Sequence, residues 1–165
     1  MQQIKLSKRL QAVADLIDND ASVADIGTDH GHLPVYIAQT FKVKKIIASD
    51  ISAASLDKAR KSATENNVIE AITFLVMSGL SGVAPAQVDT IIITGLGGET
   101  IIQILKDAPW TNNRKIKLIL QPQSKIDVLF RFLYDNDYEN IETKYVSDKG
   151  KRYIVIVVNQ KILSP

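Results

Sequence analysis

Residues 22–34 read Ser-Val-Ala-Asp-Ile-Gly-Thr-Asp-His-Gly-His-Leu-Pro. A short apolar run ends in a glycine turn that carries two aspartates. Pro34 then falls in the first turn of a helix, where its missing N–H costs nothing. The stretch therefore reads as a buried strand feeding a helix that runs to about Thr40. Downstream the alternation repeats. Lys45–Ser49 is a second buried strand ending at Asp50, and Ser52 caps a helix through Leu56, Ala59 and Ala63 to Asn66. Ala71–Val76 and Val88–Ile93 are strand-like, and Gly97 and Gly98 open a helix through Ile101, Ile104 and Leu105. Ile116–Leu120 is a further strand, after which Ser124 starts a helix through Val128, Phe132 and Leu133.

The two ends of the chain break this rhythm. Leu6, Leu10, Val13, Leu16 and Ile17 recur at helical spacing, which predicts an N-terminal helix of about three turns. Tyr138–Val146 and Tyr153–Val158 are β-rich runs joined by Ser147-Asp-Lys-Gly-Lys151, a hairpin signal with no helix between. Five β–α units followed by a hairpin predict an α/β fold, a doubly wound sheet that is mostly parallel with one antiparallel strand. Plain dinucleotide-binding domains lack that reversed strand, whereas Rossmann-like class I methyltransferases possess it.

Composition sets outer bounds. At 165 residues, with 45% hydrophobic and 23% charged, the chain fits one globular domain over 1–165. No apolar run approaches 18 residues and no charged-then-apolar leader precedes the first helix, so no membrane span and a cytoplasmic location are expected. With no cysteine and only two histidines, disulfides and thiolate metal sites are excluded and no metal is expected. A net charge of +2 is too small to name a nucleic-acid partner, so the placement of the basic residues matters more than their number.

Ligands of open α/β sheets bind beyond the carboxyl ends of the strands. Unusual residues gather at those ends here. Gly27 and Gly31 permit a tight turn and close backbone approach, but no G-x-G-x-x-G follows. Asp25 and Asp29 would repel a pyrophosphate and suit a cofactor bearing a sulfonium and an ammonium; the plainer alternative is a loop with helix-capping aspartates. Asp50 stands where an acidic residue accepts hydrogen bonds from ribose hydroxyls, a device that nicotinamide and S-adenosylmethionine enzymes share, and Ile51 beside it offers an apolar face for adenine. Gly95-Leu-Gly-Gly98 leaves room for a flat base or else makes a tight strand-to-helix turn, and Gln121-Pro122 would form the opposite wall.

Together these residues resemble the bacterial TrmK family of tRNA adenine-N1 methyltransferases. The resemblance rests on Ser7-Lys-Arg-Leu10, Ala24-Asp-Ile-Gly-Thr-Asp-His30 with Leu33-Pro34, Gly95-Leu-Gly-Gly98 and Leu118-Ile-Leu-Gln-Pro122, and extends to the last strands around Gly150 and Tyr153. It implies methylation of N1 of adenine 22 in the D-arm of tRNA, with S-adenosyl-L-methionine as cofactor; a monomer is expected. Asp25, Gly27, Thr28, Asp50, Ile51, Met77, Ser78 and Gly95 would hold the cofactor. Asp29, His30, Gly97, Gln121 and Pro122 would face the target base as the catalytic set. Lys8, Arg9 and His32 would meet the RNA. Three departures accompany the resemblance. The coiled coil that usually follows the last strand is absent from these 165 residues, Ser78 stands in place of Asp or Asn, and His32 stands in place of tyrosine.

Other basic groups extend the RNA-facing candidates to Lys5 and to Lys149, Lys151 and Arg152 on the hairpin. Lys42, Lys44 and Lys45, with Arg114, Lys115 and Lys117, precede strands and are expected at the opposite, amino end of the sheet. Three rival readings stay open at this level. They are a methyltransferase acting on another RNA or a small molecule, a nucleotide-binding dehydrogenase, and a non-catalytic RNA-binding relative.

Overall fold

The computed structural model describes residues 3–160. Seven strands form one sheet: β1 Ser22–Ile26, β2 Lys45–Asp50, β3 Thr73–Val76, β4 Thr90–Leu96, β5 Lys117–Pro122, β6 Ile141–Asp148 and β7 Lys151–Asn159. Their order is β3-β2-β1-β4-β5-β7-β6. All neighbours pair in parallel until β7, which runs antiparallel to β5 and to β6. The single reversed strand expected from the hairpin is therefore present. Five helices flank the sheet: α1 Lys8–Ala14, α2 His32–Thr40, α3 Ala53–Glu65, α4 Gly98–Asp107 and α5 Ile126–Asp135.

The strands read as unbroken apolar runs because both faces of the sheet are covered. Ile91 and Ile93 of β4, Leu118 and Leu120 of β5, and Ile154, Ile156 and Val158 of β7 pack into one core with Ile101 and Leu105 of α4 and Leu129 and Leu133 of α5. The alternate residues Ile92, Ile119, Val155 and Val157 pack on the other face with Val13 and Ala14 of α1 and Leu33, Val35 and Ile37 of α2. A period of two thus divides one strand between two cores.

Several boundaries differ from the sequence-based expectations, each for a tertiary reason. Helix α1 begins after its Ser7 cap and spans Lys8–Ala14, two turns rather than three. Beyond Ala14 the chain tightens, with Leu16 N bonding Val13 O and Ile17 N bonding Ala14 O. The Leu16 carbonyl is thereby turned to accept from the buried Lys117 ammonium, which also reaches Asp18 at 3.4 Å. Lys117 is a strut between α1 and β5, not part of a surface basic group. Five β–α units reduce to four, because residues 77–89 cross from β3 to β4 with one 3-10 turn, Pro85–Gln87, and bury Leu80 and Val83 instead of forming a helix. Helix α5 starts at Ile126 rather than Ser124, since Lys125 is left-handed (φ 54°) and the Ser124 carbonyl is used by Gly98 N at 2.8 Å. Tyr138 lies outside β6; its hydroxyl meets Thr111 Oγ1 at 2.9 Å in the core. The hairpin turn is the pair Lys149-Gly150, both at positive φ, the pattern of a type I′ turn.

Gly31 shows how closely the site loop is packed. It caps α2 at φ 78°, and a Cβ there would stand 2.7 Å from Ala59 Cβ and 3.0 Å from Ala59 Cα on α3. Gly31→Ala adds left-handed strain to overpacking and is expected to cost about 2–4 kcal/mol. Urea denaturation measures this as a lower midpoint at unchanged slope; a loss below about 1 kcal/mol would contradict the contact.

Candidate active site

The carboxyl ends of β1, β2 and β4 open onto a cavity of about 580 Å³. Its floor begins with the β1–α2 loop. Gly27 turns at φ 75°, and the N–H groups of Gly27 and Thr28 both donate to the Ser49 carbonyl, at 2.9 and 2.8 Å. The loop is thus laid across the end of β2. Asp29 follows at φ 55° and donates its N–H to Asp50 Oδ2 at 3.1 Å, while Asp50 Oδ1 accepts from Ser52 N at 3.0 Å. Each oxygen of the Asp50 carboxylate is held by one backbone N–H, and the group remains half-exposed at the cavity edge.

Asp25 lies beneath this loop, 2% exposed. Its Oδ2 accepts from Thr28 Oγ1 at 2.7 Å, but its Oδ1 has no hydrogen-bond partner. Burial pushes its carboxyl up to about 6, with the Asp50 charge adding and the Thr28 hydroxyl opposing. An ionised form needs compensation that the described residues do not provide. The Ser49 hydroxyl beside it is also buried without a partner.

The rim is made of side chains. His30 Nε2 lies 3.6 Å from Asp29 Oδ1 with both groups well exposed, and the His30 ring stands edge-on to His32 at 6.3 Å. Ile51 is 75% exposed, an isolated apolar surface next to Asp50. Met77 N is tied to the Asp50 carbonyl at 3.1 Å and its sulfur accepts from Gly82 N at 3.2 Å, which places Met77 and Ser78 on the same wall. From the other side α1 contributes Arg9 and Leu10.

Twelve of the sixteen residues singled out from sequence line this cavity: Asp25, Gly27, Thr28, Asp29, His30, His32, Asp50, Ile51, Met77, Ser78, Gly95 and Arg9. The remaining four do not. Lys8 is exposed at the start of α1. Pro122 is buried at the end of β5, paired with Leu96. Gln121 is buried under Arg9, whose Nη1 donates to its Oε1. Gly97 lies against the start of the next unit: a Cβ there would meet Ser124 Oγ at 2.9 Å, and one on Gly98 would meet Lys125 O at 2.4 Å. The two glycines close α4 onto the entry of α5.

Sequence reasoning missed Ser49, Ser55, Thr94, Thr100, Ile104 and Gln123, all on the cavity wall. Only Thr94 carried a usable signal, being the residue between the strand Ile91–Ile93 and Gly95.

Several basic residues stand at the same end of the sheet. Ile156 of β7 pairs with Leu120 of β5 in antiparallel register, so Lys151 and Arg152 project past the β5 terminus with Lys149 in the turn. Asp148 of the hairpin accepts from Arg9 N at 3.2 Å, which joins α1 to the hairpin beside the cavity. Among the described residues no helix is long and apolar enough to cross a membrane, and no three potential ligands gather into a metal site.

Comparison with known proteins agrees with this geometry. Residues 6–156 match the family model described as a methyltransferase domain. The tRNA (adenine(22)-N(1))-methyltransferase of Bacillus subtilis is 34% identical over 157 residues, covering 95% of this chain and 66% of that protein. Its crystal structure, TrmK, superposes with a TM-score of 0.86 over 93% of this chain. Mycoplasma capricolum TrmK, solved with S-adenosyl-homocysteine, is 30% identical with a TM-score of 0.81, covering 94% of this chain and 69% of its own. A Streptococcus pneumoniae relative solved with S-adenosyl-L-methionine is 29% identical with a TM-score of 0.85, covering 93% and 72%. The chain therefore spans about two thirds of the length of these relatives. Its sheet order, its acidic strand ends and its sequence agree, and the chain belongs to the methyltransferase-domain family, among the relatives of TrmK.

Proposed function

We propose that this chain transfers a methyl group from S-adenosyl-L-methionine to N1 of adenine 22 in the D-arm of tRNA, as a monomeric cytoplasmic enzyme. The observation that carries the reading is the pair of carboxylates at the strand ends, Asp25 buried with an unpartnered Oδ1 and Asp50 held open by two N–H groups. A buried anion lacking a partner calls for a cation, which a pyrophosphate group at the same place cannot offer. The activity of the B. subtilis relative and the ligands of the M. capricolum and S. pneumoniae structures support the same choice.

The residues present fit that cofactor. Asp25 suits its ammonium end, Asp50 its ribose hydroxyls, and Ile51 with Met77 its adenine, while Gly27 and Gly95 keep the backbone open. When bound, the cofactor supplies an electrophilic methyl group on a sulfonium. Ser78 can offer a hydroxyl to the adenine amine where a carboxylate or amide is usual.

Neutral adenine already carries a lone pair on N1, so this chain has no proton to remove before transfer. Its work is to hold the base in line at about 3 Å and exclude water. The base gains a positive charge. Asp29, 75% exposed at the rim, offsets that charge and takes the proton that the base's amine later sheds. His30 at 3.6 Å orients Asp29. The target adenine is stacked in folded tRNA and must be extruded, at a cost that phosphate contacts from α1 and the hairpin repay.

Three outcomes test this. Labelled S-adenosyl-L-methionine incubated with an unmodified bacterial tRNA transcript should yield 1-methyladenosine on nucleoside mass analysis, and nothing when position 22 is guanosine. A cofactor-bound protein that produces no methylated nucleoside refutes the activity. Asp29→Asn should retain cofactor binding and lose about tenfold or more in single-turnover rate; an unchanged rate removes Asp29 from the mechanism.

Asp25 gives a pH signature. Its folded value near 6 exceeds the ordinary carboxyl value of 3.8, so the native state holds that proton more tightly than the unfolded chain. The contribution of Asp25 to ligand-free stability is therefore fully present below its unfolded value and is lost as pH rises to about 6, by on the order of 3 kcal/mol. Cofactor affinity follows the opposite sense, because the ammonium requires the ionised carboxylate. Calorimetric titration should find binding about tenfold weaker at pH 5 than at pH 7. Asp25→Asn should bind weakly and lose the pH dependence across that interval; a wild-type affinity that does not change with pH overturns the assignment.

A further inference from the structure

Gln121 is 1% exposed at the end of β5, yet half of its carboxamide is unused. Its Oε1 accepts from Arg9 Nη1. A guanidinium has no acceptor, so the amide can face Arg9 only with its oxygen, and Nε2 is left as a buried donor without a partner. Such donors are rare and demand an acceptor. The position indicates which one. Gln121 pairs in register with Thr94, and Thr94 and Arg9 both line the cavity, so the carboxamide lies behind the cavity wall with Arg9 as its cover.

Methylation at N1 requires that the N1 lone pair stay free. The edge formed by N7 and the N6–H on that side remains open to recognition. A carboxamide complements that edge with two parallel bonds, its oxygen accepting from N6–H and its nitrogen donating to N7. We propose that Gln121 reads the N6/N7 edge of the target adenine at the place now taken by Arg9. This rests on the adenine-N1 reading above. Arg9 satisfies the Gln121 oxygen until the base arrives, and the base amine then takes over that bond while its N7 meets the idle Nε2.

The displaced guanidinium stays close at hand. Arg9 N is anchored to Asp148 Oδ2 at 3.2 Å, and its guanidinium lies 5.8 Å from the centre of the Tyr153 ring. Only the side chain has to swing, towards the phosphates of the incoming strand. Guanine in the same place would set its O6 against the Gln121 oxygen, so the arrangement also selects adenine.

The test is a cycle of substrate and protein changes. tRNA transcripts assembled with adenosine or 7-deazaadenosine at position 22 are compared by kcat/KM, with cofactor affinity and circular dichroism as controls for folding. Wild-type protein should lose about tenfold on 7-deazaadenosine, which lacks only the N7 acceptor. Gln121→Glu keeps an acceptor for N6–H but cannot donate to N7; it should lose about tenfold on adenosine and nothing further on 7-deazaadenosine. The uncharged Gln121→Met should likewise be indifferent to the N7 change. Wild-type kinetics equal on both transcripts, or the same 7-deaza loss in wild type and variants, overturns the proposal while leaving the activity intact. Failure of wild type to methylate the adenosine transcript overturns both readings.

Discussion

Gly27 and Thr28 place two N–H groups on one carbonyl, that of Ser49, and these bonds pin the β1–α2 loop across the end of the neighbouring strand. Much of the site follows from that crossing. It buries Asp25 under the loop, brings Asp29 N onto Asp50, and leaves the Asp29 and His30 side chains facing outward. The turn needs φ 75° at residue 27, and a side chain there would begin at 3.6 Å from Leu96 of β4. A glycine is therefore required by the backbone more than by the space. In the ligand-free protein the crossing is costly, because it strands a carboxylate away from water. On the proposed reading that cost is released when a cation enters, which couples binding to the stability of this end of the sheet.

The other end of the cavity is built on a different principle. Helix α1 is short, and the residues that hold it in place lie far away in sequence: Asp148 on the hairpin, Gln121 on β5, and Lys117 beneath Leu16. Its apolar residues Val13 and Ala14 seat it on the sheet face shared with α2 and β7. The helix thereby links the reversed strand to the cavity. A sheet that ended at β5 would leave Arg9 without Asp148 or Tyr153, and the cavity would lack its outer wall.

Much of this was legible in the sequence. The strands could be read because both faces of the sheet are buried, and continuous runs such as Ile91–Ile93 leave no polar side to confuse the assignment. Asp50 could be placed at a strand end because the apolar run before it stops there, although its carboxylate also accepts from the Asp29 and Ser52 backbone N–H groups. What escaped was decided by contacts between distant residues. Lys117 resembled a member of a surface basic group until Leu16 and Asp18, about a hundred residues earlier, claimed its ammonium. Gly97 and Gly98 resembled room for a ligand, whereas their missing side chains accommodate Ser124 and Lys125. Gln121 was expected to look into the site and instead sits behind Arg9, 112 positions away. Local pattern says that a glycine or a glutamine is needed, but not which neighbour needs it.

These differences divide the cavity into halves of unequal rigidity. The Asp25–Asp50 half is fixed by backbone hydrogen bonds between strand ends and is complete before any ligand enters. The Arg9–His30 half is fixed by side chains that are exposed or half-exposed, with His30 Nε2 3.6 Å from Asp29 Oδ1 in contact with solvent. A small cofactor gains from a preformed pocket, since it has little binding energy to spend on ordering one. A folded RNA brings many phosphate contacts and can reorder a few side chains on arrival. The sequence places backbone-held carboxylates where the small molecule is expected and long, rotatable side chains where the macromolecule is expected. On this argument the cofactor half sets affinity, and the Arg9 half sets whether a base that reaches the pocket is accepted.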